Sequence, residues 1–187
     1  MTSAKPDIRT GGSLSVPSAT VRDGDHPSLT ILINAAFLQE IKDSNPTLWL
    51  AASELRALCE TEHWDAETTG QARIKRFVRA LCELRDLIAF QFGLEESYGY
   101  LRTSGSPPQS ACHSPGFEQA QQQLQLALDQ HQRLYLDLCD LAEQAEELQY
   151  RGCDRSAVVN FAEQVAHFTR QMTRHERLEA ELIEREL

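Results

Sequence analysis

No two of the five cysteines form a CxxC pair; Cys59, Cys82, Cys112, Cys139 and Cys153 are scattered and odd in number. That spacing argues against a disulfide framework and a thiolate zinc site, and for small apolar residues in a reducing compartment. Basic residues are also few, 18 against 28 acidic ones, for a formal charge of −10. A phosphate-backbone binder needs the opposite balance, so no nucleic-acid partner is expected. The local cluster Arg73, Lys75, Arg76 and Arg79 reads as a solvated helix face alternating with Glu83. No apolar run approaches the ~18 residues that span a bilayer, and the first ~25 residues hold no stretch that could serve as a signal peptide. A cytoplasmic location with no membrane partner is the expectation.

What is present is a chain of 187 residues, 41% of them hydrophobic, enough for one domain with a sizeable core. Residues 1–27 are rich in Ser, Thr, Gly, Pro and Asp and carry only isolated Ile8, Leu14, Val16 and Val21, so a disordered tail is expected there. Residues 28–187 contain four stretches with an apolar residue every three or four positions. The first runs Leu38, Ile41, Asn45, Leu48, Ala52, Leu55, and the second Phe77, Leu81, Leu84, Ile88, Gln91, Glu95, Tyr98. The third runs Leu124, Leu128, His131, Tyr135, Leu138, and the fourth Val158, Phe161, Val165, Phe168, Met172, His175, Glu179, Leu182. Steps of three and four keep each series on one helical stripe, whereas a strand would alternate strictly.

The first helical region is expected from Ser28 to about Cys59, with a kink or a fresh start at Pro46 because proline disfavours helix at Asn45. Asn45 then either caps the second piece or faces the core. The second helix is expected over Thr69 to Leu101, the third from Ser114 or Pro115 to about Tyr150, and the last from an Asp154 cap to the chain end. Short links after the first and third helices, and a longer one between Thr103 and Ser114, imply an all-α, antiparallel up-down-up-down four-helix bundle.

Each seam is interrupted by polar side chains: Asn45, then Gln91 and Glu95, then His131, then His175 and Glu179. At a rise of ~1.5 Å per residue, these fall near mid-bundle within about two turns of one another, so one polar layer is expected. Buried polar groups need a hydrogen bond, a charge partner or a cation. Gln91 with Glu95 and His175 with Glu179 are i, i+4 pairs, the spacing by which a helix presents two side chains to one metal centre. The seams contain no Lys or Arg, so a metal ion or a histidinium is expected to neutralise the carboxylates. Tyr135, one turn after His131, is a packing residue whose hydroxyl could reach the layer. His167, eight residues from His175, lies too far along the helix axis to join it.

The stretch Gln91-Phe92-Gly93-Leu94-Glu95-Glu96-Ser97-Tyr98-Gly99-Tyr100-Leu101 resembles the HFxxEExxGYL of hemerythrin-like, or HHE cation-binding, domains. The last helix of that family carries HExxE, matched by His175-Glu176-Arg177-Leu178-Glu179, and its third a single histidine in a context like Asp129-Gln130-His131. The resemblance covers residues from about 29 to 187. It implies a hemerythrin-like bundle in which Glu95, His131, His175 and Glu179 bind non-heme iron, one or two ions, with dioxygen as a possible further ligand. Gln91 stands where the family has a histidine, and Asn45 is nearest to a missing first-helix histidine; amides are poor iron ligands.

By that resemblance the expected function is a non-enzymatic metal-binding domain sensing oxygen, redox state or iron supply, with an incomplete ligand set. The alternative is a metal-free helical module engaging an unidentified protein partner, its layer held by protonated His131 and His175 against Glu95 and Glu179. A carboxylate-bridged redox enzyme would need the ligands that Gln91 and Asn45 replace.

Overall fold

In a computed structural model of the chain, residues 29–60, 70–104 and 115–186 are described. The expected tail 1–27 lies outside them, as do His26, His63, Trp64, Cys112 and His113. Strand β1 (Leu29–Ile33) leads into helix α1 (Ala35–Ser44), capped by Asn34, whose side chain accepts from the Phe37 amide. Helix α2 (Pro46–Cys59) starts afresh with Pro46 in its first turn, where a missing N–H costs nothing. The interruption therefore falls at Asn45–Pro46, where the proline demands it.

Helix α3 (Gly70–Leu94) passes into a π-helical turn (Glu95–Gly99) and then strand β2 (Tyr100–Ser104). Helix α4 (Pro115–Arg151) ends at Gly152, whose φ of +82° reverses the chain. Helix α5 (Arg155–Glu186) begins after Asp154, whose Oδ1 accepts from the Ala157 amide at 2.8 Å.

Two boundaries differ from those expected. The first region does not begin as helix: Leu29–Ile33 is extended and pairs antiparallel with β2, Ile33 opposite Tyr100 and Leu29 opposite Ser104. The second helix does not reach Leu101, because its backbone widens at Glu95 and turns into that same ribbon. Both strands are rich in β-branched and large apolar residues, which suit a ribbon once a partner exists. The free edge of β1 is covered by α4: Gln121 donates to the Ile31 carbonyl at 2.7 Å and accepts from its amide at 2.8 Å.

The fold is otherwise helix on helix. Helix α2 packs on α3 and α5, α3 on α4, α4 on α5, and α1 on α5 and the π turn. The apolar side chains divide into two clusters. The larger is built around Phe77, Leu84, Ile88, Leu138, Phe161 and Val165; the smaller gathers Ile31, Leu38, Tyr100, Leu124, Leu128 and Leu182. On α4 and α5 alike, the polar positions fall between the residues of one cluster and those of the other, so a buried polar layer separates two dry regions.

Candidate metal centre

Helix α5 presents His175 and Glu179 one turn apart, α4 presents His131, and the π turn opens with Glu95; their exposures are 0, 1, 1 and 1%. One ligand atom from each lies within 4.8 Å of all the others. His131 Nε2 is 3.4 Å from Glu95 Oε2 and 3.4 Å from Glu179 Oε1, and His175 Nε2 is 3.6 Å from Glu179 Oε2. The four residues expected to converge do so, at a spacing that could hold a metal ion.

The outer contacts set what each of the four side chains can offer. His175 Nδ1 lies 3.1 Å from Gln130 Oε1, an acceptor, so the proton sits on Nδ1 and the Nε2 lone pair points inward. That Nε2 has no hydrogen-bond partner. Glu95 Oε2, beside His131 Nε2, makes no hydrogen bond either. The carboxylate oxygen nearest the His175 Nε2 is Glu179 Oε2 at 3.6 Å, and a buried lone pair left without a donor is a costly arrangement that a cation relieves. His131 Nδ1 donates to Glu96 Oε1 at 3.1 Å, the carboxylate–imidazole arrangement that orients a ligand histidine. Phe92, 6% exposed, stacks on His131 at 4.0 Å and meets His175 edge-on, fixing both rings.

The replaced positions form a relay toward the layer. Asn45 Nδ2 donates to Gln91 Oε1 at 2.9 Å, and Gln91 Nε2 donates to Glu95 Oε1 at 2.6 Å. Asn45 thus faces the core and makes no side-chain cap for α2. Together the two amides hold Glu95 Oε1 and leave its second oxygen beside His131 Nε2.

Four residues at the site were not legible as such. Lys42, on α1, donates to Glu176 Oε2 at 2.7 Å and lies 2.9 Å from Glu179 Oε2, with 11% of its side chain exposed. This corrects the expectation that no lysine or arginine reaches the layer. Lys42 lies four residues after Leu38, so its spacing was compatible with the seam, but its charge suggested solvent. Tyr100 donates to Glu179 Oε1 at 2.6 Å and is 3% exposed, whereas Tyr98, on the expected seam, is 57% exposed. The π turn, closed by the Tyr100 amide on the Glu95 carbonyl, accounts for the exchange by adding a residue to the turn. Gln130 and Glu96 flank His131 and Glu95 in sequence and could have been found only as neighbours of ligands.

Tyr135 does not reach the layer. It is 37% exposed and lines a surface cleft of roughly 460 Å³ with Gly93, Glu96, Arg102 and one side of His131. His167 is exposed on a separate groove between α4 and α5, away from the four clustered residues.

Burial and charge sort the protonation states. Burial and the adjacent Glu179 push Glu95 up to about 8, against the opposing pull of His131 and Lys42. Burial opposes a charge on His131, but hydrogen bonds to Glu179 and Glu96 outweigh it and hold the imidazole at about 9. Burial lowers His175 to about 4, with His131 and Lys42 adding to the effect. The expected histidinium at position 175 is therefore replaced: His175 is neutral, and Lys42 is the cation beside Glu179. Burial also works against the Glu179 anion, yet the hydrogen bond to His131 and the charges of Lys42 and His131 keep its carboxyl well below the usual range.

No family model, no curated protein and no solved structure matches the chain.

Proposed function

We propose that this chain is a hemerythrin-like non-heme metal-binding domain that holds ferrous iron at Glu95, His131, His175 and Glu179. In this reading it responds in the cytoplasm to oxygen, redox state or iron supply, and has no catalytic turnover. The observation that carries the metal is the inward lone pair of His175 Nε2, buried without a donor 3.6 Å from Glu179 Oε2. Two imidazoles and two carboxylates form a set suited to Fe²⁺, Mn²⁺ or Zn²⁺. The choice of iron rests on the sequence resemblance, as does dioxygen as a further ligand. A bound Fe²⁺ would supply a redox couple and an open position for a small ligand.

The bundle topology belongs to the same proposal. Helices α2, α3, α4 and α5 pack in a closed ring, with α1 extending the first arm past the Pro46 break, which supports an up-down-up-down arrangement. Among the described residues no helix is long and apolar enough to cross a membrane.

One observation favours a second reading, a metal-free module for a protein partner. Lys42 and a protonated His131 can neutralise Glu176 and Glu179 without any ion. Metal content after tag-free anaerobic purification, with thermal unfolding in chelator and in Fe²⁺, separates the two. The metal reading expects stabilisation by Fe²⁺ of about 2.7 kcal/mol at a hundredfold excess over Kd, lost in Glu179→Gln. Unfolding indifferent to chelator and to iron would leave only the module.

A further inference from the structure

We propose that Lys42 is a built-in cation that limits this centre to a single divalent ion. The inference rests on the metal-binding reading above and deepens it. Glu179 faces two positive positions at once. Its Oε1 accepts from Tyr100 and lies 3.4 Å from His131 Nε2, on the side of the four-residue cluster. Its Oε2 lies 3.6 Å from His175 Nε2 and 2.9 Å from Lys42 Nζ, which also donates to Glu176 Oε2 at 2.7 Å. A carboxylate shared between two cations is the arrangement of a two-metal centre, and here one of the two places is filled by an ammonium.

The ammonium is held from several directions. Its nitrogen lies 5.6 Å from the centre of the Trp49 ring, an additional favourable contact for a cation. The Trp49 indole N–H donates to the carbonyl of Lys42 itself at 3.2 Å, fixing the backbone from which the side chain projects. Trp49 reaches back across the Asn45–Pro46 break to do this, so the interruption of the first arm serves to pin the lysine.

Charge counting gives the consequence. With one divalent ion bound, two charges from the metal and one from Lys42 meet the three most buried carboxylates, Glu95, Glu176 and Glu179, with both histidines neutral and Glu96 half-exposed to solvent. A second divalent ion beside Lys42 would leave two uncompensated positive charges in a buried volume, which is strongly unfavourable. Removing the ammonium reverses the balance: one negative charge is left over, and the space between Glu176 and Glu179 opens to a cation.

Anaerobic equilibrium dialysis against Mn²⁺ and Fe²⁺, with electron paramagnetic resonance of the Mn²⁺ form, tests this on the full chain. Wild type should take up one equivalent and show the six-line spectrum of an isolated Mn²⁺ ion. Lys42→Met should take up two and show the broadened spectrum of a coupled pair. Lys42→Arg, which keeps the charge, and Lys42→Met with Glu176→Gln, which removes a carboxylate with the ammonium, should both stay at one. If wild type binds one ion and Lys42→Met also binds one, or if wild type binds two, this inference falls and the metal reading stands. If neither protein binds an ion, the metal reading fails with it. Should Lys42→Met be unfolded without metal, recovery of the fold at two equivalents supports the inference; failure to fold even with metal present overturns it.

Discussion

At the scale of single residues, the protons on Glu95 and His131 make a measurable statement. His131 is held at about 9 in the fold against 6.5 for a free imidazole, so its stabilising contribution is complete below 6.5 and is lost as pH rises through 9. Glu95 is held at about 8 against 4.5, so its neutral form favours the fold below 4.5 and that contribution disappears as pH rises toward 8. His175, lowered from 6.5 to about 4, acts oppositely, destabilising the fold as pH falls below 6.5. Metal-free protein should therefore be most stable near pH 6 and weaken steadily toward pH 9, which urea unfolding across that range will show. Because metal binding needs both groups deprotonated, about two protons should be released per ion at pH 7. Titration calorimetry in buffers of different ionisation enthalpy measures that number; a value near zero would contradict these protonation states. Gln91 gives a second test. Gln91→Leu strands the Asn45 amide and frees Glu95 Oε1, so stability should fall by ~1–3 kcal/mol. Metal affinity should drop about tenfold, since the group aiming a ligand is gone. Gln91→His should instead raise affinity by placing a third imidazole one turn before Glu95.

At the scale of elements, the π turn decides which aromatic side chain touches the layer. It depends on a close approach: a Cβ at Gly99 would stand 2.7 Å from Leu38 Cγ, inside any ordinary contact, while the Gly99 carbonyl accepts from the Asn34 amide at 2.8 Å. Only glycine lets α1 lie this close to the turn. Gly99→Ala should cost ~1–3 kcal/mol through overpacking, and it should displace α1, which carries Lys42. The expected readout is a lower urea midpoint together with a changed environment for Trp49, seen in its fluorescence. Unchanged stability would mean that α1 can shift freely and that its lysine is not rigidly placed.

At the scale of the whole molecule, the layer sits between two apolar clusters that should fail separately. Phe161 is 1% exposed, meets Phe77 edge-on at 5.3 Å, and lies fourteen residues before His175, or ~21 Å along the helix. Phe161→Ala should lower stability by ~3–5 kcal/mol while leaving metal affinity in the folded protein unchanged. A parallel loss of affinity would show that the larger cluster, and not the local contacts, sets the ligand geometry.

Much of this arrangement follows from the order of residues alone. Steps of three and four placed Glu95, His131, His175 and Glu179 on inward stripes, and counting residues along each helix brought them to one height. The break at Asn45–Pro46 and the cap at Asp154 follow from local chemistry, because a proline or a capping carboxylate acts on backbone groups within a few residues. Lys42, Tyr100 and the ribbon are different. Whether a lysine at the margin of a stripe turns inward depends on an acid that arrives from 134 residues away. Whether Leu29–Ile33 and Tyr100–Ser104 become strands depends on their finding each other, with Gln121 closing the edge. Periodicity determines the face a helix buries, since that is a property of its own geometry. The protonation of the buried groups, and the cation that shares Glu179, are decided only where separate helices meet, because desolvation and charge pairing act through space.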